Sequence, residues 1–115
     1  MAGRPKLQDK DMVKLFKALS VETRLRIVQL LSRHTLCVGA LSNLLGISAG
    51  AVSQHLRILR DAGLVEAERR GYFIHYYVAP GAADCCQAAM ELIFQSKKGA
   101  LRCAAERRNA KVRKT

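Results

Sequence analysis

Apolar positions recur at helical spacing through most of the chain and change to alternation in one stretch. Met12, Leu15, Phe16 and Leu19 fall at i, i+3, i+4 and i+7, one face of a helix. Asp9 or Asp11 is placed to open that helix by accepting backbone hydrogen bonds. Residues 1–8 before it read as a polar, basic, flexible arm. Ser20 reads as the N-cap of a second helix, with Glu22 near its positive end. Leu25, Ile27, Val28, Leu30 and Leu31 give that helix a broad apolar stripe, which places it at the centre of a core. Arg24 and Arg26 interrupt the stripe and are read as solvated or locally paired charges. A third helix is predicted from Val38 to about Leu45, with Leu41, Leu44 and Leu45 inward. Gly46 suits the left-handed backbone that ends a helix. Ser48 is the N-cap of a fourth helix running to about Ala62, where Gly63 stops it. Its buried stripe is Val52, Leu56, Ile58 and Leu59. Ala49, Gly50, Ser53, Gln54 and Arg57 fall on the other side.

Alternation begins after Gly63. Val65 to Arg69 and Tyr72 to Val78 read as two short strands, with Arg70-Gly71 as the hairpin turn. Pro80-Gly81 marks the next boundary. A last helix is expected from about Ala82 to Ser96. Ala83, Cys86, Ala89, Met90, Ile93 and Phe94 make one side apolar, and Cys85, Ala88 and Leu92 do the same for the other. A small domain cannot bury such a helix all round by itself, so a second copy of the chain is the expected cover. Gly99 weakens helix continuity, and residues 97–115 read as a basic, disordered tail carrying Cys103. The expectation is one domain over residues 9–96, mainly α with a small β-hairpin wing. The order is four helices, two strands and a helix. A short helix, a glycine turn and a second helix with a polar-basic face form the layout of a DNA-reading helix-turn-helix, and the hairpin after it makes a dimeric winged helix-turn-helix.

Composition narrows the partner. The chain has 115 residues, half of them hydrophobic, and a formal net charge of +11. That excess favours a polyanion. RNA modules of the stacking type need exposed aromatics, and this chain is 5% aromatic, so double-stranded DNA is the expected partner. An enzyme is not expected: acidic residues total 9, and no carboxylate pair, nucleophile motif or glycine-rich phosphate loop stands out. No apolar run reaches the ~20 residues that span a bilayer, so no membrane partner is expected. The first residues lack the apolar stretch of a signal peptide. A reducing cytoplasm follows as the expectation, with the 4 cysteines as thiols rather than disulfides. In the groove, Gln54 suits adenine edges, and Arg57 suits guanine or phosphate. Ser48 and Ser53 suit phosphate oxygens. His55 either touches backbone phosphate or packs against the first helices. The wing offers Arg69, Arg70 and Tyr72 to backbone or minor groove, and Arg60 serves phosphate or a local ion pair.

These pieces, in this order, resemble the ArsR/SmtB family of winged-helix repressors, arsenic-responsive type. Leu15-Phe16-Lys17-Ala18-Leu19-Ser20 followed by Thr23-Arg24-Leu25-Arg26-Ile27 is similar to that family's signature. So are Val52-Ser53-Gln54-His55-Leu56, Asp61-Ala62-Gly63-Leu64-Val65 and the wing stretch Arg70-Gly71-Tyr72-Phe73-Ile74-His75-Tyr76-Tyr77. Gly50 departs from it, standing where the family often carries proline. The resemblance implies a homodimer formed mainly by the first and last helices. It also implies repression at an imperfect palindrome, relieved when an inducer binds.

The cysteines point to the inducer. Trivalent arsenic and antimony favour three thiolates, the ligand type that selects soft ions. Leu36-Cys37-Val38 is similar to the family's arsenic-box motif, whose second cysteine is here replaced by Gly39. Cys85 and Cys86 stand on the first turn of the last helix, where the helix N-terminus is expected to lower a thiol pKa. Arsenic sensors with a cysteine pair near that helix and a third cysteine beyond are similar in plan. Cys85, Cys86 and Cys103 are therefore the expected As(III) or Sb(III) site, within one subunit or across the dimer, with Cys37 as a further candidate ligand. A helix rises ~1.5 Å per residue, so Cys103 reaches Cys86 only if the chain near Gly99 folds back. The alternatives are a redox or reactive-sulfur sensor built on the cysteine pair, and cysteines serving as small buried hydrophobes. Zinc, nickel or cobalt sensing through the last helix is disfavoured because His34, His55 and His75 all precede it.

Overall fold

The computed structural model describes residues 7–95. The calls on most of the N-terminal arm, on Gly99, on Cys103 and on the basic tail lie outside the described residues. Eight elements follow in order: α1 (Asp9–Leu19), α2 (Glu22–Leu31), β1 (Leu36–Cys37), α3 (Val38–Leu45), α4 (Ala49–Asp61), β2 (Val65–Arg70), β3 (Phe73–Val78) and α5 (Ala82–Ile93). The helices pack around one core made of Leu15, Ala18, Ile27, Leu31, Leu41, Val52, Leu56, Leu59, Leu64, Val65, Ala79, Ala82 and Ala89. Every helix contributes to it, and α4 is held in place by α1, α2, α3 and β2.

The mainly helical winged fold is as expected, with one element added. β1 is a third strand, absent from the two-strand expectation. It pairs antiparallel with β3, giving the order β1-β3-β2. Two residues carry too little alternation to read as a strand. Their pairing links the segment before α3 to the wing. The hairpin turn also lies one residue later than expected. Arg70 pairs with Phe73, so the turn residues are Gly71 and Tyr72. Gly71 has φ +63°, and among the described residues only glycines take a positive φ. A glycine at the first central position is the preference of a type II′ hairpin turn, whose twist matches its strands.

The helix boundaries follow local hydrogen bonds. Asp11 accepts the Gln8 backbone N–H at 3.2 Å, closing the start of α1 as expected of an acidic residue there. Ser20 is not the N-cap of α2. Its hydroxyl instead donates to the Lys17 carbonyl at 2.8 Å, finishing α1, and Val21 precedes the first turn of α2. Ser48 does cap α4, accepting the Ala51 N–H at 3.1 Å. α5 stops at Ile93, short of the predicted Ser96.

Three residues assigned inward face outward. Leu44 is 56% exposed, and Leu25 and Ile58 are also exposed. Each helix buries a narrower stripe than its apolar content allows. Ile27 and Leu31 fill α2's inward face, Leu41 fills α3's, and Val52, Leu56 and Leu59 fill α4's.

Candidate nucleic-acid interface and thiol positions

The helix-turn-helix turns on Gly46, whose φ of +69° reverses the chain after α3. Two backbone N–H groups, of Gly46 and Ile47, donate to the Ser42 carbonyl at 2.9 and 3.3 Å. The Ser42 hydroxyl donates to the Ile47 carbonyl at 2.5 Å. Ser42 thus clamps both sides of the turn that sets α4 against α3. Nothing in its sequence context distinguishes it from a solvated serine.

α4 presents Ser53, Gln54 and Arg57 to solvent, with Ser48 at its start and Arg60 near its end. Neither Gln54 nor Arg57 makes a hydrogen bond or ion pair among the described residues. Both are free for an external acceptor. Ser48 differs, because one lone pair of its hydroxyl is taken by the cap. The missing proline at Gly50 does not delay the helix, which starts at Ala49.

His55 sits on the flank of α4, half-buried. Arg24 of α2 faces it, with Nη1 3.4 Å from Nδ1. The same guanidinium donates from Nε to the Ala18 carbonyl at 2.7 Å and from Nη2 to the Lys17 carbonyl at 3.1 Å. Arg24 is therefore locally paired, as expected, but its partners are carbonyls of the last turn of α1, that of Lys17 shared with Ser20. It ties α1, α2 and α4 together. Burial, and then the Arg24 charge, hold the His55 pKa below its ordinary value. Because a guanidinium only donates, Nδ1 facing it is the acceptor, and the ring proton lies on Nε2.

The wing projects beyond the core. Tyr72 at its tip is 99% exposed, and Phe73 and Ile74 beside it are exposed as well. Arg69 is exposed. Arg70 is not wholly free: its Nε donates to Glu68 at 2.9 Å. On the same hairpin the Tyr77 hydroxyl donates to Glu66 at 3.1 Å, and that bond raises the Tyr77 pKa.

A second surface lies away from α4. A groove of about 550 Å³ is lined by Met12, Val13, Phe16 and Lys17 of α1 and by Ile93 of α5. Val13 is 53% exposed, Ile93 49% and Phe94 68%, and Met90 and Leu92 are exposed beside them. α5 buries only Ala82 and Ala89 in its own subunit. The surplus apolar surface expected of that helix is present, and it continues onto α1.

The three thiols among the described residues lie in two places. Cys85 and Cys86 are half-buried at the fourth and fifth positions of α5. They stand later than the free N–H groups of the first turn, and the Cys85 N–H is bonded to the Gly81 carbonyl at 2.9 Å. The expected lowering of the thiol pKa is overturned for Cys86. Burial, and then its neighbour Cys85, push it up. Cys86 packs against the core. Cys37 precedes α3, half-buried, with no capping bond from its side chain. Among the described residues, no three of His, Cys, Asp and Glu group as a metal site. Cys37 therefore does not join Cys85 and Cys86 within one subunit.

A recognition helix held against a glycine turn, followed by a hairpin wing, defines a winged helix-turn-helix. Residues 22–67 match the family described as "Bacterial regulatory protein, arsR family". The chain is 44% identical over 69 residues to the arsenical resistance operon repressor of Escherichia coli K12, covering 59% of each. It is 37% identical to a cadmium resistance regulatory protein CadC homologue of Staphylococcus aureus, over 57% of this chain and 55% of that one. It is 35% identical to the HTH-type transcriptional regulator YgaV of Escherichia coli K12, over 70% of this chain and 82% of the relative. Among solved structures, an ArsR-like transcriptional regulator from Rhodococcus sp. RHA1 superposes with TM-score 0.68 at 28% identity, covering 91% and 89% of the two chains. The homodimeric winged helix-turn-helix DNA-binding domain from Mycobacterium bovis superposes at 0.63 with 27% identity, over 86% and 99%. The chain belongs to the ArsR family. It spans a little over half the length of the first two curated relatives, 59% and 55%. These relatives and neighbours are DNA-binding regulators rather than enzymes.

Proposed function

We propose that the chain is a transcriptional repressor that binds an imperfect palindrome in duplex DNA as a homodimer and is released by trivalent arsenic or antimony. It acts in the cytoplasm. Among the described residues no helix is long and apolar enough to cross a membrane. The observation that carries the reading is the free polar-basic face of α4, with Gln54 and Arg57 unpaired, beside an exposed wing. A major groove admits one such helix. Two copies joined through the apolar surface of α1 and α5 place two recognition helices about one helical turn (~34 Å) apart. Gln54 and Arg57 then read base edges, while Ser48, Ser53, Arg60 and Arg69 position the duplex through phosphates. The Nε2–H of His55 is the donor left for a backbone phosphate. Tyr72 leads the wing toward the minor groove.

Cys85, Cys86 and Cys103 are the proposed inducer thiols. Neighbouring helix positions diverge by ~100°, so Cys85 and Cys86 reach one arsenic atom only along the edge between them. The third sulfur must come across that edge. Capture balances as arsenous acid plus three thiols giving a trithiolate and three waters. Burial, and then Cys85, push the Cys86 thiol up, and the thiolate is both the nucleophile and the ligand, so a redox or reactive-sulfur sensor on the same pair is the second reading. Relatives are named for arsenical and for cadmium resistance, so the test sets the two ions side by side. Reduced protein bound to duplex DNA from its own upstream region is titrated with arsenite or Cd(II), wild type against Cys85→Ser/Cys86→Ser. Release by arsenite, lost in the double variant, supports the assignment. Release that persists unchanged in the double variant overturns it.

A further inference from the structure

We infer that Cys37 and His75 form a two-ligand site for a soft d10 divalent cation of the zinc class, joining the helix-turn-helix to the wing. The register of the sheet carries this inference. Cys37 on β1 and His75 on β3 are direct cross-strand partners. Such partners point to the same face of the sheet, with Cβ atoms ~4.5–5.5 Å apart. That face is opposite the one bearing Leu36, Tyr76 and Val78, which pack on the core. His75 supplies the second observation. Its Nδ1 is sealed from solvent and has no hydrogen-bond partner, the one such side-chain atom among the described residues. Buried ring nitrogens are ordinarily paired. Cys37 is a free thiol beside it, and its sulfur makes no helix-capping bond.

The dimensions suit an ion. Thiolate sulfur lies ~2.3 Å and imidazole nitrogen ~2.0–2.1 Å from such a cation. In tetrahedral geometry sulfur and nitrogen are then roughly 3.6 Å apart, a span a cross-strand pair reaches by rotating side chains. Mixed thiolate and imidazole donors are a zinc-type set. Glu68 lies across β3 on the far side of His75, and its carboxylate is engaged by Arg70. It is not the third ligand, and no third His, Cys, Asp or Glu groups with the pair among the described residues, so this chain supplies two of the ion's ligands. Binding exchanges the Cys37 thiol proton for the cation, and the proton leaves to water. Nδ1 donates its lone pair, with the ring proton on Nε2. Cys37 precedes the first turn of α3 and His75 belongs to the wing's second strand, so the bound ion fixes the wing against the helix-turn-helix.

This site is separate from the proposed arsenite thiols, and so is its test. The full chain carrying Cys85→Ala/Cys86→Ala/Cys103→Ala keeps Cys37 alone. Cd(II), a spectroscopic stand-in for zinc, is titrated into it. One equivalent is expected to bind with a thiolate-to-metal absorption band. Cys37→Ser in that background is expected to abolish the band. His75→Gln is expected to weaken binding about tenfold or more, as loss of a direct ligand costs at least what loss of a supporting residue does. Binding unaffected by His75→Gln, or no band in the parent, overturns the inference. If the triple variant does not fold, NMR of the histidine rings in the wild-type chain decides. Cd(II) must shift His75 while leaving His34 in place, and a His75 signal unmoved at saturation overturns it.

Discussion

Removing the Arg24 side chain should loosen the recognition helix while leaving Gln54 and Arg57, which it does not contact, in place. The guanidinium donates to the carbonyls of Ala18 at 2.7 Å and Lys17 at 3.1 Å, and it faces His55 at 3.4 Å. A hydrogen bond from a charged donor contributes about 1.5–3 kcal/mol. The Nε bond is partly buried and is taken at the lower end of that range. The Lys17 bond is exposed and adds a few tenths. The expected cost of Arg24→Ala is therefore about 2 kcal/mol. For a domain of this size each kcal/mol moves Tm by roughly 4–8 °C, so a drop of ~8–16 °C is expected. Melting is followed by circular dichroism at matched protein concentration, because dimerisation makes Tm concentration-dependent. Arg24→Lys should recover only part of the loss, since an ammonium cannot present the two-pronged donor. A destabilisation below ~0.5 kcal/mol, the size of an ordinary surface change, would refute the claim that Arg24 ties α1, α2 and α4 together.

Three further outcomes follow from the same geometry. The His55 pKa is lowered in the fold by burial and by Arg24, so the unfolded chain binds its proton more tightly. Its effect on stability is absent above the ordinary value of 6.5. The fold loses stability as pH falls from there through the lowered pKa, and His55→Gln should flatten that decline in denaturant titrations between pH 7.5 and pH 5. Ile93→Asp places a charge in the apolar surface shared by α1 and α5. It should shift sedimentation toward monomer and weaken DNA binding while the monomer's helical spectrum persists. A Cβ at Gly39 would lie 3.9 Å from the Cys37 sulfur, and no positive φ opposes it. Gly39→Cys should therefore add a second thiol beside Cys37 and raise arsenite affinity in a chain lacking Cys85, Cys86 and Cys103. Unchanged affinity in calorimetry would show that the two positions do not converge.

Much of this fold was legible because its signals are local. The Ser48 cap, the Gly46 reversal and the Val52-Leu56-Leu59 stripe each follow from short-range rules, and the structure repeats them. So does the polar-basic face carrying Ser53, Gln54 and Arg57. What escaped was set by partners distant in sequence. β1 exists because Leu36 and Cys37 meet Tyr76 and His75, a pairing no local pattern of two residues announces. Ser20 obeys the cap preference in composition, yet the carbonyl of Lys17 claims its hydroxyl. The turn clamp of Ser42 is hidden in the same way. The thiols were hardest to place, since a cysteine reads alike as ligand, reactive group or core filler. For Cys86, local reasoning from the helix start pointed one way, while burial pointed the other and prevailed.

The claim beneath all of this is that two copies present paired α4 helices to successive major grooves. Footprinting of duplex DNA upstream of the chain's own coding sequence, with the bound stoichiometry from sedimentation, tests it most directly. The account expects two chains per site and two protected half-sites with centres about one helical turn, ~10 base pairs, or a multiple of it apart. It also expects Arg57→Ala to weaken protection of both halves alike. Protection of one continuous patch by a single chain, or protection indifferent to Arg57, would contradict it.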